Sequence, residues 1–274
     1  MEISEINIYP IKSLGGISLN KSVVQEKGLQ YDRRWMLVDE NGKFFTQREF
    51  PKMATFKVSL ENEGLRVSLE NENLLIPFEE NETANEIQVE VWNSKFTAQT
   101  LQNSINQWFS NALETNCRLV RMNQNSNRLV NPVYAVRKFQ DKVSFADGYP
   151  FMLIGENSLE DLNSRLEKPL LMNRFRPNFV VKNSEAFAED NWKQIKVGNI
   201  AFHIVKPCER CVMTTIDQAK GVSDGKEPLK TLATYRLVKK DGESKILFGQ
   251  NLIAEKAGEI VKIGDKVEVL ETKK

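Results

Sequence analysis

The strongest constraint on this chain is how briefly any one hydropathy pattern lasts. Apolar and polar residues alternate over a few positions, a turn signal intervenes, and the alternation begins again. Residues 2–9 set the pattern, with Ile3, Ile6 and Ile8 among polar neighbours. Pro10 then stops the ladder, because proline has no amide hydrogen to donate. The segment 11–16 is turn-like. Residues 33–39 read as a short apolar strand, 40–42 as a turn and 43–46 as its hairpin mate. Further strands are predicted at 55–60, 65–69, 87–91 and 179–182, around Gly198–Asn199 within 192–205, and again from 246 to 270, while 151–155 reads as a buried strand or turn. The Asn/Glu-rich stretch 70–86 reads as exposed hairpin surface. Helical spacing occurs in two places. Leu101, Ile105, Trp108, Phe109 and Leu113 share one face, as do Leu159, Leu162 and Leu166. The expected fold is therefore mainly β (α+β), built of short strands with two or three packed helices. The pattern shifts near residues 115–125, which divides the chain into 1–120 and 121–274. No repeat of fixed period is evident.

Composition narrows the function. Apolar residues make up 41% of the 274, and 38 basic side chains nearly cancel 37 acidic ones, so neither a disordered chain nor a general nucleic-acid binder is expected. Three cysteines cannot form a disulfide-rich scaffold, and the single His203 excludes a zinc site built on several histidines. There is no GxGxxG and no GxxxxGK[ST] motif, so the dinucleotide fingerprint and the P-loop are both absent. The first thirteen residues have no apolar targeting core, and no apolar run is long enough for a membrane span. The expectation is a soluble cytoplasmic protein.

The segment 206–221, KPCERCVMTTIDQAKG, is the most informative. Cys208 and Cys211 are spaced CxxC, and four readings stand side by side. Both can be small buried core residues, the ordinary fate of free cysteine. They can form a redox dithiol, but that belongs at a helix start, and the β-branched run after Cys211 favours strand or loop. They can be half of a four-cysteine zinc site, which fails because only Cys117 remains. Or one thiolate can serve a soft metal whose other ligands come from an organic cofactor, with the hydroxyls of Thr214 and Thr215 and the carboxyl of Asp217 around it. Lys12, Ser13, Arg33, Arg34, Arg48, Arg174 and Arg176 lie in or beside turns, where guanidinium forks and amides hold phosphate well. Each alone is ordinarily a solvated surface charge. Spacing does not say whether they converge.

The ordered set of segments resembles the MOSC-domain proteins that carry a MOSC N-terminal β-barrel domain, and within them the mitochondrial amidoxime-reducing component and its bacterial relatives. The resemblance runs through YPIKSLGG (9–16), YDRRWMLVD (31–39), FTQRE (45–49), FADGYPFMLIGENSLEDLNSRL (145–166), NRFRPNFVV (173–181), ERCVMTTIDQAKG (209–221), LFGQN (247–251) and the tail 258–270. It implies two β-barrel-like domains, the second a C-terminal MOSC β-barrel, with a cleft between them. It also implies a molybdenum cofactor, a pterin dithiolene bearing a phosphate, with Cys211 as the thiolate on molybdenum. Lys12, Ser13, Arg33, Arg176 and Asn178 match cofactor-holding positions. Thr46, Arg48 and Arg174 belong to the same pocket. Asp147 matches the rim near the open coordination position, with Thr215 and Asp217 shaping the pocket beside it.

The activity implied is reductive cleavage of N–O bonds in small N-hydroxylated substrates. The chain holds no four-cysteine set and ends at Lys274 without a ferredoxin domain, so electrons are expected from a separate donor: a ferredoxin, a flavodoxin or a cytochrome b5-like protein. The alternative is a cofactor-binding or sulfur-carrying protein, since MOSC domains also end molybdenum cofactor sulfurases.

Overall fold

The computed structural model describes residues 1–78, 85–240 and 242–273. It is mostly β, with α-helices at Asn103–Leu113, Glu156–Ser164 and Leu229–Ala233 among the described residues. Part of the Asn/Glu-rich stretch, residues 79–84, lies outside that description, and the part before it forms the strand Glu72–Pro77.

Nine strands make the largest sheet. Its order is Ile17–Leu19, Glu2–Ile8, Phe179–Lys182, Phe151–Gly155, Glu243–Ala254, Ile200–Glu209, Trp192–Val197 and Val267–Thr272, with Leu237–Lys240 pairing off the path. Among the described residues of this sheet, only Phe151–Gly155 and Phe179–Lys182 run parallel, and the helix Glu156–Ser164 makes the crossover that a parallel pair requires. The first strand shows how sequence and register cooperate. Ile3 and Ile6 are three apart, so strict alternation would put them on opposite faces. A register shift between Ile3 and Glu5 turns both into one core, where neither is exposed. That core is organised by Phe151 stacked on Phe179, with Phe202 edge-on to both.

This sheet does not close into the expected C-terminal barrel. One edge of Glu2–Ile8 is occupied by Phe179–Lys182. The other is taken over Ile6–Ile8 by Ile17–Leu19, which leaves only the first residues to meet the last strand. The meeting is a single bridge, Glu2 to Lys266, with hydrogen bonds from Ile3 to Asp265 and from Val267 to Met1.

Other strands form separate small sheets. Trp35–Val38, Arg118–Met122, Ser94–Thr100 and Glu86–Val91 pair in that order, and Lys57–Leu60, Gly64–Leu69 and Glu72–Pro77 form a meander. The hairpin mate expected at 43–46 is an isolated bridge, Val38 to Phe44, rather than a strand. The helix Asn103–Leu113 buries Ile105, Phe109 and Leu113 at fourfold spacing against this half. Burying each such side chain contributes about 1.5–3 kcal/mol. The N-terminal segment is shared between the halves: its first strands lie in the large sheet, and Lys21–Gln25 pairs with Ile260–Lys262. The turns that follow those strands are thereby set against residues from the other end of the chain.

Candidate functional site

The turn after the first strand carries Lys12 and Ser13. Ser13 lies in the left-handed region, at φ 69°, and its carbonyl accepts a hydrogen bond from the buried Gln47 side chain, 2.7 Å. Lys12 is buried and spans to the other half of the chain. Its Nζ donates to the Phe145 carbonyl at 2.8 Å and to Asp147 Oδ1 at 2.5 Å. Burial pushes its ammonium down to about 8, against the pull of Asp147 in the other direction, so the pair is ionic at neutral pH. Desolvation alone would raise the Asp147 carboxyl. The Lys12 charge and hydrogen bond, with the Trp92 indole N–H and Arg48, hold it well below the usual range.

A second cluster surrounds Tyr9. Arg33 and Arg176 both sit in the left-handed region, at φ 50° and 57°, and their guanidiniums lie 4.5 and 4.1 Å from the Tyr9 ring centroid. Such backbone is uncommon outside glycine and collects at functional sites. Arg33 donates twice to Asp32 and reaches Asn178 Oδ1 and the Arg176 carbonyl, both at 3.3 Å. Asn178 is a junction between strands: its side chain accepts from the Met152 amide and donates to the Asn7 carbonyl. Arg176 differs from these. Burial lowers its guanidinium to about 10, and its buried Nη2 has no hydrogen-bond partner among the described residues. A buried cation with an unanswered donor is a place for an anion.

The cysteine loop brings the third group. Cys211 is exposed and Cys208 half-buried, and both are free thiols. Burial raises the Cys208 thiol, at the end of the strand Ile200–Glu209, which is where a structural cysteine belongs. Arg48 reaches across from the other half to Cys211, with Nη1 3.9 Å from Sγ. The amide and hydroxyl of Thr214 both donate to the Cys211 carbonyl at 3.0 Å, and the Thr215 hydroxyl donates to Val212 at 2.8 Å. These local bonds wind Val212–Thr215 into a 3-10 turn where strand or loop was expected. Asp217 accepts from the amides of Ala219 and Lys220, which hold its carboxyl low. Thr215 and Asp217 thus shape the loop, and none of their bonds reaches the groups around Asp147.

Of the other expected residues, Thr46 is buried and its hydroxyl accepts from the Arg48 amide at 3.2 Å, which sets the turn carrying Arg48. Arg174 is buried near Asp217 and Asp224, with its guanidinium lowered by that burial. Arg34 turns away, toward Gln25 and the Lys27 carbonyl.

Five partners were not apparent in the sequence. Arg128, buried, donates to the carbonyls of Ser144, Ala146 and Asp147 and so fixes the Asp147 loop. Gln47 and Gln218 exchange side-chain hydrogen bonds at 3.2 and 3.0 Å, which ties the FTQRE turn to the cysteine loop. Arg210 donates to Phe248 and Phe175, joining that loop to the FRPN turn. It passes over Gly249, at φ 80°, where a Cβ would stand 2.6 Å from Ile154. Trp92 donates to Asp147 at 3.1 Å and lies under Arg48, 4.6 Å from its ring centroid. Periodicity marks none of these. Nor do the flanking residues mark them: Gln47 lies between Thr46 and Arg48, and Arg128 between Asn127 and Leu129.

Among the described residues, no three His, Cys, Asp or Glu side chains gather into a metal-binding group, and no helix is long and apolar enough to cross a membrane. The arrangement is one exposed thiol, that of Cys211, with the Arg48 guanidinium of the other half beside it. A cavity of about 530 Å³ beside Asp39, Lys43 and Phe50 includes none of the expected site residues.

Residues 1–116 match the model of the MOSC N-terminal beta barrel domain, and residues 140–268 match the MOSC domain. Mitochondrial amidoxime-reducing component 1 of Mus musculus is 34% identical over 98% of this chain and 82% of its own length. Mitochondrial amidoxime reducing component 2 of Bos taurus is 34% identical over 97% and 82%. The molybdenum cofactor sulfurase of Oryza sativa subsp. japonica is 33% identical over 91% of this chain but 32% of its own length. The expected cytoplasmic location is overturned by these comparisons, because the amidoxime-reducing relatives are named mitochondrial. Import signals in general need not be apolar runs, so the lack of an apolar core in the first residues does not decide the compartment.

Proposed function

This chain belongs to the MOSC-domain proteins with a MOSC N-terminal β-barrel domain, and from that membership we propose that it is a molybdenum cofactor-dependent reductase of N-hydroxylated compounds. One observation carries the reading. Lys12 meets Asp147, Arg33 meets Asn178 and the Arg176 carbonyl, and Arg48 meets the exposed thiol of Cys211, so each of these contacts joins one half of the chain to the other.

The residues fit a pterin dithiolene that bears a phosphate and brings its own sulfurs. Such a group needs one protein thiolate and several cations, and the unpartnered Nη2 of Arg176 is one donor awaiting an anion. Cys211 would ligate the metal. Arg176, Arg33, Ser13, Arg174 and Lys12 would hold the pterin and its phosphate, with Thr46 and Asn178 fixing the turns that present them. The cofactor supplies a two-electron metal centre.

The rest falls to this chain's side chains. Reductive cleavage of R–NHOH to R–NH2 and water consumes two electrons and two protons. Lys12 Nζ, 2.5 Å from Asp147 Oδ1, keeps that exposed carboxylate ionised, so Asp147 can accept a hydrogen bond from the substrate N–H or O–H and orient it, while the two protons consumed come from solvent. Arg48 offers its guanidinium to the N–O oxygen as negative charge develops there. Electrons come from a separate donor protein of the ferredoxin, flavodoxin or cytochrome b5-like kind.

The full chain loaded with molybdenum cofactor and given an artificial reductant should turn over benzamidoxime or 6-hydroxylaminopurine. Bound molybdenum without turnover of either would refute the reductase reading. The second reading, a cofactor or sulfur carrier, is favoured by the likeness to a molybdenum cofactor sulfurase. It requires tight pterin binding without redox cycling of the metal.

A further inference from the structure

One side chain touches both Asp147 and Arg48, the guanidinium beside Cys211, and its backbone is unusual. Trp92 and Asn93 form the two-residue corner between the strands Glu86–Val91 and Ser94–Thr100, since Val91 pairs with Ser94. Trp92 lies at φ 54°, in the left-handed region where a hairpin corner ordinarily takes glycine, asparagine or aspartate. A bulky aromatic residue is a poor occupant of such backbone, and the neighbouring Asn93 would suit it better. Packing into the core does not account for the choice either. Trp92 is 47% exposed, and its ring meets one core side chain, Phe44, edge-on at 5.4 Å.

The side chain's contacts offer a reason. Its Nε1 donates to Asp147 Oδ1 at 3.1 Å, the oxygen that also receives Lys12 Nζ. Its ring face lies 4.6 Å from the Arg48 guanidinium carbon, and Arg48 Nη1 stands 3.9 Å from Cys211 Sγ. One rigid indole therefore engages a carboxylate through its N–H edge and a guanidinium through its face. Those two groups have opposite charge, and among the described residues they form no ion pair with each other. Left to themselves, an exposed carboxylate and a nearby guanidinium tend to pair and neutralise one another. The indole engages each of them separately, so Arg48 keeps its place beside Cys211 and Asp147 its place beside Lys12.

We propose that Trp92 is a positioning residue of this site, which holds Arg48 and Asp147 apart and keeps both free to engage a small substrate that presents a donor and an acceptor together, as an N-hydroxyl group does. This rests on the reductase reading for its substrate, while the placement of the two charges stands on its own. In the reaction R–NHOH + 2e− + 2H+ → R–NH2 + H2O, Trp92 exchanges no atom or electron.

Two measurements on the full chain test it. The first needs neither cofactor nor turnover. In protein labelled with 5-fluorotryptophan, the fluorine resonance missing from Trp92→Phe identifies Trp92. It should move in both Arg48→Gln and Asp147→Asn. A resonance unmoved by either change overturns the proposal.

The second measurement uses the cofactor-loaded protein. Trp92→Leu should retain its molybdenum and its thermal midpoint, while kcat falls roughly tenfold to a hundredfold with KM little changed. Trp92→His, which keeps a flat ring and an N–H, should recover much of that loss. A fall in kcat accompanied by equal loss of metal and of thermal midpoint, with no recovery in Trp92→His, shows a merely structural role and overturns the proposal. A wild-type chain that loads metal but reduces no N-hydroxylated compound refutes the reductase reading. In that case the fluorine shifts still decide whether Trp92 places Arg48 and Asp147.

Discussion

Replacing Arg128 with methionine tests whether the Asp147 loop is held from beneath by one buried cation. Methionine keeps an unbranched stem of similar reach and removes the guanidinium. Arg128 is 6% exposed and donates to three backbone carbonyls, those of Ser144, Ala146 and Asp147. Leaving a buried carbonyl without its donor costs roughly 1–3 kcal/mol, so three of them amount to about 6 kcal/mol. Part of that returns, because burying the cation was itself unfavourable. Burial draws the Arg128 guanidinium from 12.5 to about 10, and a shift of that size corresponds to about 3 kcal/mol. The expected net loss is about 3 kcal/mol, in the range seen when one partner of a buried charged network is removed. Guanidinium chloride unfolding of the full chain, read as the midpoint at constant m, measures it. Arg128→Lys retains a charge that cannot reach all three carbonyls and should fall between wild type and Arg128→Met. If Arg128→Met lies within about 1 kcal/mol of wild type, the three hydrogen bonds do not hold the loop and the reasoning fails.

Three further outcomes follow from the same geometry. Cys211→Ala should retain no molybdenum and no turnover with its thermal midpoint little changed, whereas Cys208→Ala should keep its metal; equal loss in both, by metal analysis, would refute the assignment of Cys211 as ligand. Tyr9, 3% exposed, has its hydroxyl pushed by burial from 10.0 up to about 12, against the opposing pull of Arg176 and Arg33. Its contribution to stability, about 3 kcal/mol, is thus full below pH 10 and lost as pH rises toward 12. In a spectrophotometric titration of the native protein, Tyr9→Phe should remove a late-titrating tyrosine; loss of an ordinary one would contradict the burial argument. Gln47→Leu should cost about 1–3 kcal/mol in thermal or chemical unfolding, because the Ser13 carbonyl and the Gln218 side chain lose their partner. An unchanged midpoint would show that the FTQRE turn is held by other contacts.

Much of the local structure was legible because its causes are local. The helix Asn103–Leu113 announces itself by the spacing of Ile105, Phe109 and Leu113, and the first strand by its isoleucines. The register shift between Ile3 and Glu5 was not legible, although the isoleucines it reconciles were, because a bulge is specified by pairing with a distant strand. The 3-10 turn after Cys211 was misread for a related reason. β-branched residues favour strands, but the hydroxyls of Thr214 and Thr215 supply local hydrogen bonds that outcompete a ladder. The expected C-terminal barrel failed where a third party intervened: Ile17–Leu19 occupies the edge that the last strand would need.

The candidate site divides along the same line. The sequence by itself determined the family to which the order of its motifs belongs, and it nominated the candidate site residues: the cysteine of the ERC motif, the lysine and serine of the first turn, and the arginines of the DRRW and FRPN turns. Those are properties of residue identity and short spacing. Only the tertiary structure decided which of these groups meet, and what holds them there. Lys12 finds Asp147, Arg48 finds Cys211 and Arg33 finds Asn178 across separations of 135, 163 and 145 residues. Trp92 and Arg128 acquire their roles only through those meetings. Periodicity reports the near neighbours of a residue, whereas a hydrogen bond between distant turns depends on how the sheets carrying those turns pack together.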